Sequence, residues 1–170
     1  MSARISWDEY FMTFADIAAK RATCDRLFIG AVIVRGKRIL ATGYNGSIPG
    51  MPHCDEVGHL LVDDHCTATI HAEMNALLQC ARFGISAEGA TIYSLYSPCW
   101  NCFKAIVTAG ITRIVFRQLF SAFDERIDQA VKTLNIDYVN LNPNIPAIRP
   151  ADKIKIDFSS GYNKEQKRDN

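Results

Sequence analysis

Apolar positions along the chain change their spacing several times, and the changes mark its elements. Trp7, Tyr10, Phe11, Phe14 and Ala18 recur at helical spacing, which predicts an amphipathic helix over residues 7–22. Ser6 and Glu9 form a capping box at its start, with Ile5 and Tyr10 placed to staple it. The aromatic stripe reads as core or subunit packing in preference to a ligand surface. Two runs, 28–34 and 38–43, flank Gly36 and predict a β-hairpin. A second helix opens at His71 and stops at Gly84, with Met74, Leu77, Leu78 and Ala81 at helical spacing. A strand over 90–94, a helix over 100–109 closed by Gly110, and a strand over 113–116 follow. The last pair is a helix over 124–134, with Phe123, Ile127, Ala130, Val131 and Leu134 inward, and a strand over 136–141. Strands alternating with helices predict an α/β sheet covered on both faces and parallel in its later part. No internal repeat or second domain is visible, so residues 1–142 read as the folded domain. Residues 143–170 read as a partly mobile C-terminal extension, because their end is polar.

Two stretches lack any periodicity. Gly43-Tyr-Asn45-Gly46-Ser-Ile-Pro-Gly50 is dense in turn formers but lacks the order of a P-loop. It is either a plain surface loop or a loop whose backbone and Asn45 amide contact a substrate sugar. Residues 51–66 look irregular, yet they hold three of the four histidines and two of the six cysteines. A loop this long inside a compact domain needs something to order it. A second, structural zinc held by Cys24, Cys54, His59 and Cys66 would do so, with His53 and His65 in reserve. Scattered polar and core roles are the alternative.

Composition narrows the class. A chain of 170 residues fits one domain with a real core. A net charge of +1 argues against nucleic acid as the main partner, which would demand a strong basic excess. No stretch approaches the length of a membrane span or a secretory leader, so the expectation is a cytoplasmic protein with reduced thiols. Clustered cysteines in that setting point to metal. Cys80 has no such company and reads as a small core residue.

The chemistry concentrates in His71-Ala72-Glu73 and Pro98-Cys99-Trp100-Asn101-Cys102. His71, Cys99 and Cys102 supply three zinc ligands and leave a fourth tetrahedral position open, as a catalytic zinc requires. Cys99 and Cys102 are three apart, so they share one helix face if Pro98 begins that helix. A helix N-terminus also favours thiolates. Glu73 lies about 200° from His71 round an ideal helix, but at a frayed helix start it can still reach a water on the metal. There it is the general base and acid. Cys99-x-x-Cys102 alone would equally suit a thioredoxin-like redox pair. That reading leaves His-Ala-Glu without a purpose.

The pairing H-x-E with P-C-x-x-C is the known signature of zinc-dependent deaminases. Together with Gly30-Ala-Val-Ile-Val, Gly43-Tyr-Asn-Gly, His53-Cys-Asp-Glu and Asp63-Asp-His-Cys66, it makes the chain resemble deoxycytidylate (dCMP) deaminases of the bacterial and phage type, within the cytidine deaminase-like superfamily. The resemblance covers Ile5 to about Phe120. It implies a three-layer α/β/α fold with a central mixed five-stranded sheet and helices on both faces. It implies conversion of dCMP to dUMP, feeding dTTP synthesis. A zinc-activated hydroxide attacks C4 of cytosine, and Glu73 protonates N3 and then the departing ammonia. By the same resemblance, the Ala72 N–H holds the base carbonyl, the Ser97 region holds the amino group, and Asn45 contacts the deoxyribose. Phe120 stacks on the base, and Arg82 lies near the phosphate and a subunit contact. Cys24 and Cys54 match second-metal positions in some phage relatives, and His59 stands where many bacterial members have cysteine. A homohexamer activated by dCTP with Mg²⁺ and inhibited by dTTP is the family's regulatory pattern.

One position departs from it. Ala68 occupies a site where close relatives carry arginine, which leaves dCTP or a modified cytosine nucleotide as alternative substrates. Free nucleosides and tRNA adenosine are further possibilities for a zinc deaminase, and the low net charge speaks against the tRNA. From a different class, the alternative is a silent zinc-binding or nucleotide-sensing module, which would have no use for Glu73.

Overall fold

The computed structural model describes residues 4–62, 65–120, 124–142 and 144. Phe123, Asp63 and nearly all of 143–170, including the expected extension, lie outside the described residues. The elements run α1 (Trp7–Ala19), β1 (Gly30–Arg35), β2 (Arg38–Tyr44), α2 (Cys54–Val57), β3 (Leu61–Val62), β4 (His65–Cys66) and α3 (Ala72–Arg82). They continue with β5 (Thr91–Tyr96), α4 (Trp100–Thr108), β6 (Arg113–Gln118), α5 (Glu125–Leu134) and β7 (Asp137–Asn140). Five strands form one mixed sheet in the order β2-β1-β5-β6-β7, as the resemblance implied. The β1 strand pairs antiparallel with β2 and β5, while β5, β6 and β7 run parallel. Gly36 and Lys37 join β1 to β2 with both φ positive (55° and 62°), the primed turn that follows strand twist.

The sheet separates two cores. On one side Phe11, Met12, Ala15 and Ala19 of α1 pack on Val32, Val34, Tyr93 and Val115. On the other, α3, α4 and α5 cover Ala31, Ile33, Ile92 and Ile114. The Ser6–Glu9 capping box is present at the start of α1. Below it, Arg113 clasps Asp8 through two bonds of 2.8 and 2.9 Å and reaches Asp137 at 2.6 Å. The Arg113 guanidinium holds the Asp8 carboxyl below its usual range. This pins α1 to the ends of β6 and β7.

Two helices are rotated from the expected orientation, for one physical reason. In α1, Trp7 and Tyr10 are exposed (51% and 40%), and the helix stops at Ala19 rather than continuing to 22. In α3 the buried residues are Ala72, Glu73, Ala76 and Cys80, whereas Leu78 is exposed. A Cβ added at Gly43 would lie 2.2 Å from the Ala72 carbonyl oxygen and 2.4 Å from the Ala76 nitrogen. One at Gly30 would lie 1.9 Å from the Ala15 oxygen. Backbone-to-backbone contact admits only small side chains between helix and strand, so the bulky residues are displaced to the flanks. Trp7 therefore stacks along its own helix on Phe11, 5.7 Å between ring centroids.

Smaller differences follow from local geometry. Residues 51–66 contain the short helix α2 and the β3–β4 hairpin, elements too short to show a period in sequence. The β5 and β6 strands extend to Tyr96 and Gln118, because parallel pairing continues that far. Leu134, on the last turn of α5 before the left-handed Asn135 (φ 53°), is exposed rather than inward.

Candidate active site and a second cysteine–histidine cluster

The N-termini of α3 and α4 meet at one edge of the sheet. His71 is the N-cap of α3 and Cys99 the N-cap of α4, with Cys102 in the first turn of α4. The Pro98 residue thus precedes the helix, which begins at Trp100. The ligand atoms of His71, Cys99 and Cys102 lie within 4.8 Å of one another. A tetrahedral zinc bonded at about 2.3 Å to sulfur and about 2.05 Å to nitrogen spaces those ligands about 3.6 Å apart. The His71 Nδ1 atom is 3.6 Å from Cys99 Sγ and 3.4 Å from Cys102 Sγ, so the donor set fits. Cys102 is buried while His71 faces solvent, which leaves an approach from one side. The Cys102 thiol and the His71 imidazole pull Cys99 down to about 3, and the same sharing with burial pushes Cys102 up.

Glu73 lies beneath this trio and is 4% exposed. Because His71 is an extended cap rather than a helical residue, the 200° offset of an ideal helix does not separate the two. Burial pushes the Glu73 carboxyl up, partly offset by the nearby His71. The Ser94 hydroxyl, itself 1% exposed on β5, donates to Glu73 Oε1 at 3.4 Å. Sequence reasoning missed Ser94. Its one signal is a small polar residue between the bulky Tyr93 and Leu95, three residues before Ser97.

The expected substrate residues divide into two groups. Ala72 is buried, and its N–H is the first of α3, which the helix itself cannot satisfy. Ser97 is buried and its hydroxyl accepts the Phe120 N–H at 2.9 Å, holding those two residues together. Phe120 also meets the rings of His65 and Tyr96 at 5.9 and 6.1 Å. A cavity of about 320 Å³ runs from Ser97, Cys99 and Phe120 toward Tyr138 and Asp128. Asn45 is buried at the end of β2, and each end of its amide already has a backbone partner. The Oδ1 atom accepts from Ile29 N at 2.8 Å, and Nδ2 donates to Leu27 O at 2.7 Å. One lone pair and one N–H remain for another partner. Arg82 is not brought here: it is exposed at the far end of α3, roughly 15 Å from His71 along the helix.

Residues 5–118 match the cytidine and deoxycytidylate deaminase zinc-binding region. The chain belongs to that family. It is 45% identical over 154 residues to ComE operon protein 2 of Bacillus subtilis, covering 89% of this chain and 80% of that one. To the deoxycytidylate deaminase of Mycobacterium phage D29 it is 40% identical over 126 residues, covering 67% and 96%. The dCMP deaminase of cyanophage S-TIM5, solved in complex with dCMP and dUMP, superposes with a TM-score of 0.65 at 26% identity. That match covers 80% of this chain and 97% of the phage chain. Among the described residues, no helix of this family member is long and apolar enough to cross a membrane.

A second cluster departs from the family's catalytic pattern. Cys24, Cys54, His59 and Cys66 place their ligand atoms within 4.8 Å of one another. The Sγ–Sγ distance from Cys54 to Cys66 is 3.7 Å, against about 3.8 Å for two thiolates on tetrahedral zinc. Cys24 Sγ and His59 Nδ1 are likewise 3.7 Å apart. The other His59 nitrogen, Nε2, lies 3.1 Å from Asp25, which orients the ring with Nδ1 toward the sulfurs. Burial raises the Cys66 thiol, but the Ala68 N–H, His59 and the two cysteines outweigh it and bring it to about 7. Burial and Cys66 push Cys54 up to about 12. His53 instead caps α2, and His65 packs on Phe120, so neither reserve residue joins the four.

Proposed function

We propose that the chain is a zinc-dependent deoxycytidylate deaminase that hydrolyses dCMP to dUMP and ammonia. The observation that carries this reading is the arrangement of three ligands, open on one side, over a single buried carboxylate. Zinc held by His71, Cys99 and Cys102 would supply a Lewis acid that makes water nucleophilic at neutral pH. Glu73 accepts the proton of that water as its oxygen bonds to C4 of cytosine, and delivers a proton to N3. Glu73 then moves the proton of the new C4 hydroxyl to the exocyclic amine, so that the C4–N bond breaks, C4=O forms and ammonia leaves. Burial suits Glu73 to this shuttle, since a carboxyl raised above its usual range holds a proton more readily.

The remaining roles belong to the same proposal. The first N–H of α3, at Ala72, holds the base carbonyl, and Ser97 with its neighbours accommodates the amino group. Phe120 stacks on the base, and the unused valences of Asn45 meet the deoxyribose. Arg82, remote in its own chain, serves the phosphate of a neighbouring subunit in a homo-oligomer. The exposure of Leu78 and Phe83 on the single chain supports such assembly, and a hexamer is the family expectation. The second cluster holds a structural zinc, supported by its four-ligand spacing. Residues 1–142 form the catalytic domain, working in the cytosol, and 143–170 an extension. Control by dCTP with Mg²⁺ and by dTTP rests on the family resemblance alone. Ala68, in place of the arginine of close relatives, favours dCTP or a modified cytosine nucleotide as the second reading.

Ammonia release from dC, dCMP, dCTP and CMP, each with and without added dCTP and Mg²⁺, tests the proposal. The expected result is the highest kcat/KM with dCMP. Equal values for dC and dCMP refute a site that reads the phosphate, and a maximum with dCTP selects the second reading.

A further inference from the structure

The cysteine-rich cluster and the loop that carries Asn45 are joined at one residue. Thr23 donates its backbone N–H to the Asn45 carbonyl at 3.1 Å. Its hydroxyl accepts the Ser47 N–H at 2.8 Å and meets the Ser47 hydroxyl at 3.1 Å. Its own carbonyl accepts the Cys54 N–H at 3.1 Å. Every polar group of Thr23 is therefore engaged, on one side with residues 45–47 and on the other with a cluster cysteine. Its next neighbour in the chain, Cys24, is another member of the cluster.

At its start the loop is also tied to the segment before β1, where Asn45 N–H donates to the Ile29 carbonyl at 3.2 Å and its amide bonds Ile29 and Leu27; beyond Asn45 its supports are few. After β2 it contains no helix or strand, only an isolated bridge in which Gly46 and Ile70 exchange N–H···O bonds of 3.1 and 2.8 Å. Asn75 Nδ2 donates to the Tyr44 carbonyl at 2.9 Å on the strand side. On the cluster side, Thr23 is the contact. The four cluster ligands come from segments with little regular structure of their own, so a shared metal would cross-link them. Without that cross-link, the same segments open locally at small cost.

We propose that Thr23 is a positioning residue through which the cluster holds the Asn45 loop in register, so that metal occupancy there sets nucleotide affinity and not the chemical step. The inference rests on the two-metal and Asn45 readings above. Thr23→Val keeps the shape and removes the hydroxyl, which leaves the Ser47 N–H without its partner. Thr23→Ser restores it.

The test measures zinc per chain, kcat and KM for dCMP, and the Kd of dUMP by calorimetry, for wild type, T23V, T23S, C66A and T23V/C66A. T23V should keep two zincs and raise KM and the dUMP Kd about tenfold with kcat nearly unchanged, while T23S stays near wild type. C66A should lose one zinc and show a similar rise, and the double variant should be no worse than C66A alone. Additive effects in the double variant overturn the coupling. Wild-type KM and Kd in T23V with two zincs retained overturn the part of Thr23 alone, as does an equal loss of kcat in T23V and T23S. A single zinc in the wild type overturns the two-metal reading, and the coupling falls with it.

Discussion

His71, Cys99 and Cys102 are presented by regular structure: two are helix N-caps and the third lies in a first helical turn. Cys24, Cys54, His59 and Cys66 come from turns, a four-residue helix and a two-residue strand. The trio is open on one side and has a buried acid at hand. The quartet offers four ligand atoms of its own, and the Asp25 carboxylate beside it is bonded to His59 Nε2. On the proposed reading, ligand number and the placement of one carboxylate separate a centre that would admit water from one that would only cross-link the chain.

The largest difference between the two clusters should appear at Glu73. Glu73→Gln should lower kcat for dCMP on the order of 10³-fold with zinc content unchanged, measured by ammonia release alongside metal analysis. Retained turnover would remove the basis for calling the trio catalytic. The mirror experiment is Cys54→Ala, which should lose one zinc and lower Tm by about 10 °C. Thermal melts decide this, and an unchanged Tm would mean that the quartet does not staple the fold. A finer distinction comes from Asp25→Asn, expected to weaken zinc binding at the quartet about tenfold while sparing the trio. Competition with a chromogenic chelator separates the two stoichiometric phases. The smallest effect belongs to Ser94→Ala, which should reduce kcat about fivefold at constant KM by freeing the Glu73 carboxylate. A change confined to KM would assign Ser94 to substrate binding instead.

The two clusters were also unequally legible. The trio could be read from sequence because adjacent helix starts fix its spacing, and both motifs are short. The four residues of the quartet are legible as candidate ligands, but the segment carrying three of them shows no period, since α2, β3 and β4 are too short to have one. The buried faces of α1 and α3 are not the ones hydrophobicity favours, since Trp7, Tyr10 and Leu78 are exposed, and for α1 only the core half of the expected core or subunit packing is excluded. Close backbone approach at Gly30 and Gly43 instead selects alanine, a tertiary effect that no local pattern announces. Ser94 was invisible for the same reason, since only the packing of α3 on β5 brings Glu73 to it. The engagement of the Asn45 amide with Leu27 and Ile29 likewise depends on where the chain before β1 passes.

The seating of α3 on Gly43 has a consequence for how such a protein can change. Glycine at that point leaves no slack between strand and helix, so the platform carrying His71 and Glu73 cannot be shifted by stepwise substitution beneath it. Side chains on the loop from Asn45 to Gly50 and around Phe120 are held by a few hydrogen bonds and ring contacts. On the proposed reading those positions meet the nucleotide, so variant libraries for new substrate preferences belong there. The reaction itself stays inherited with the frame.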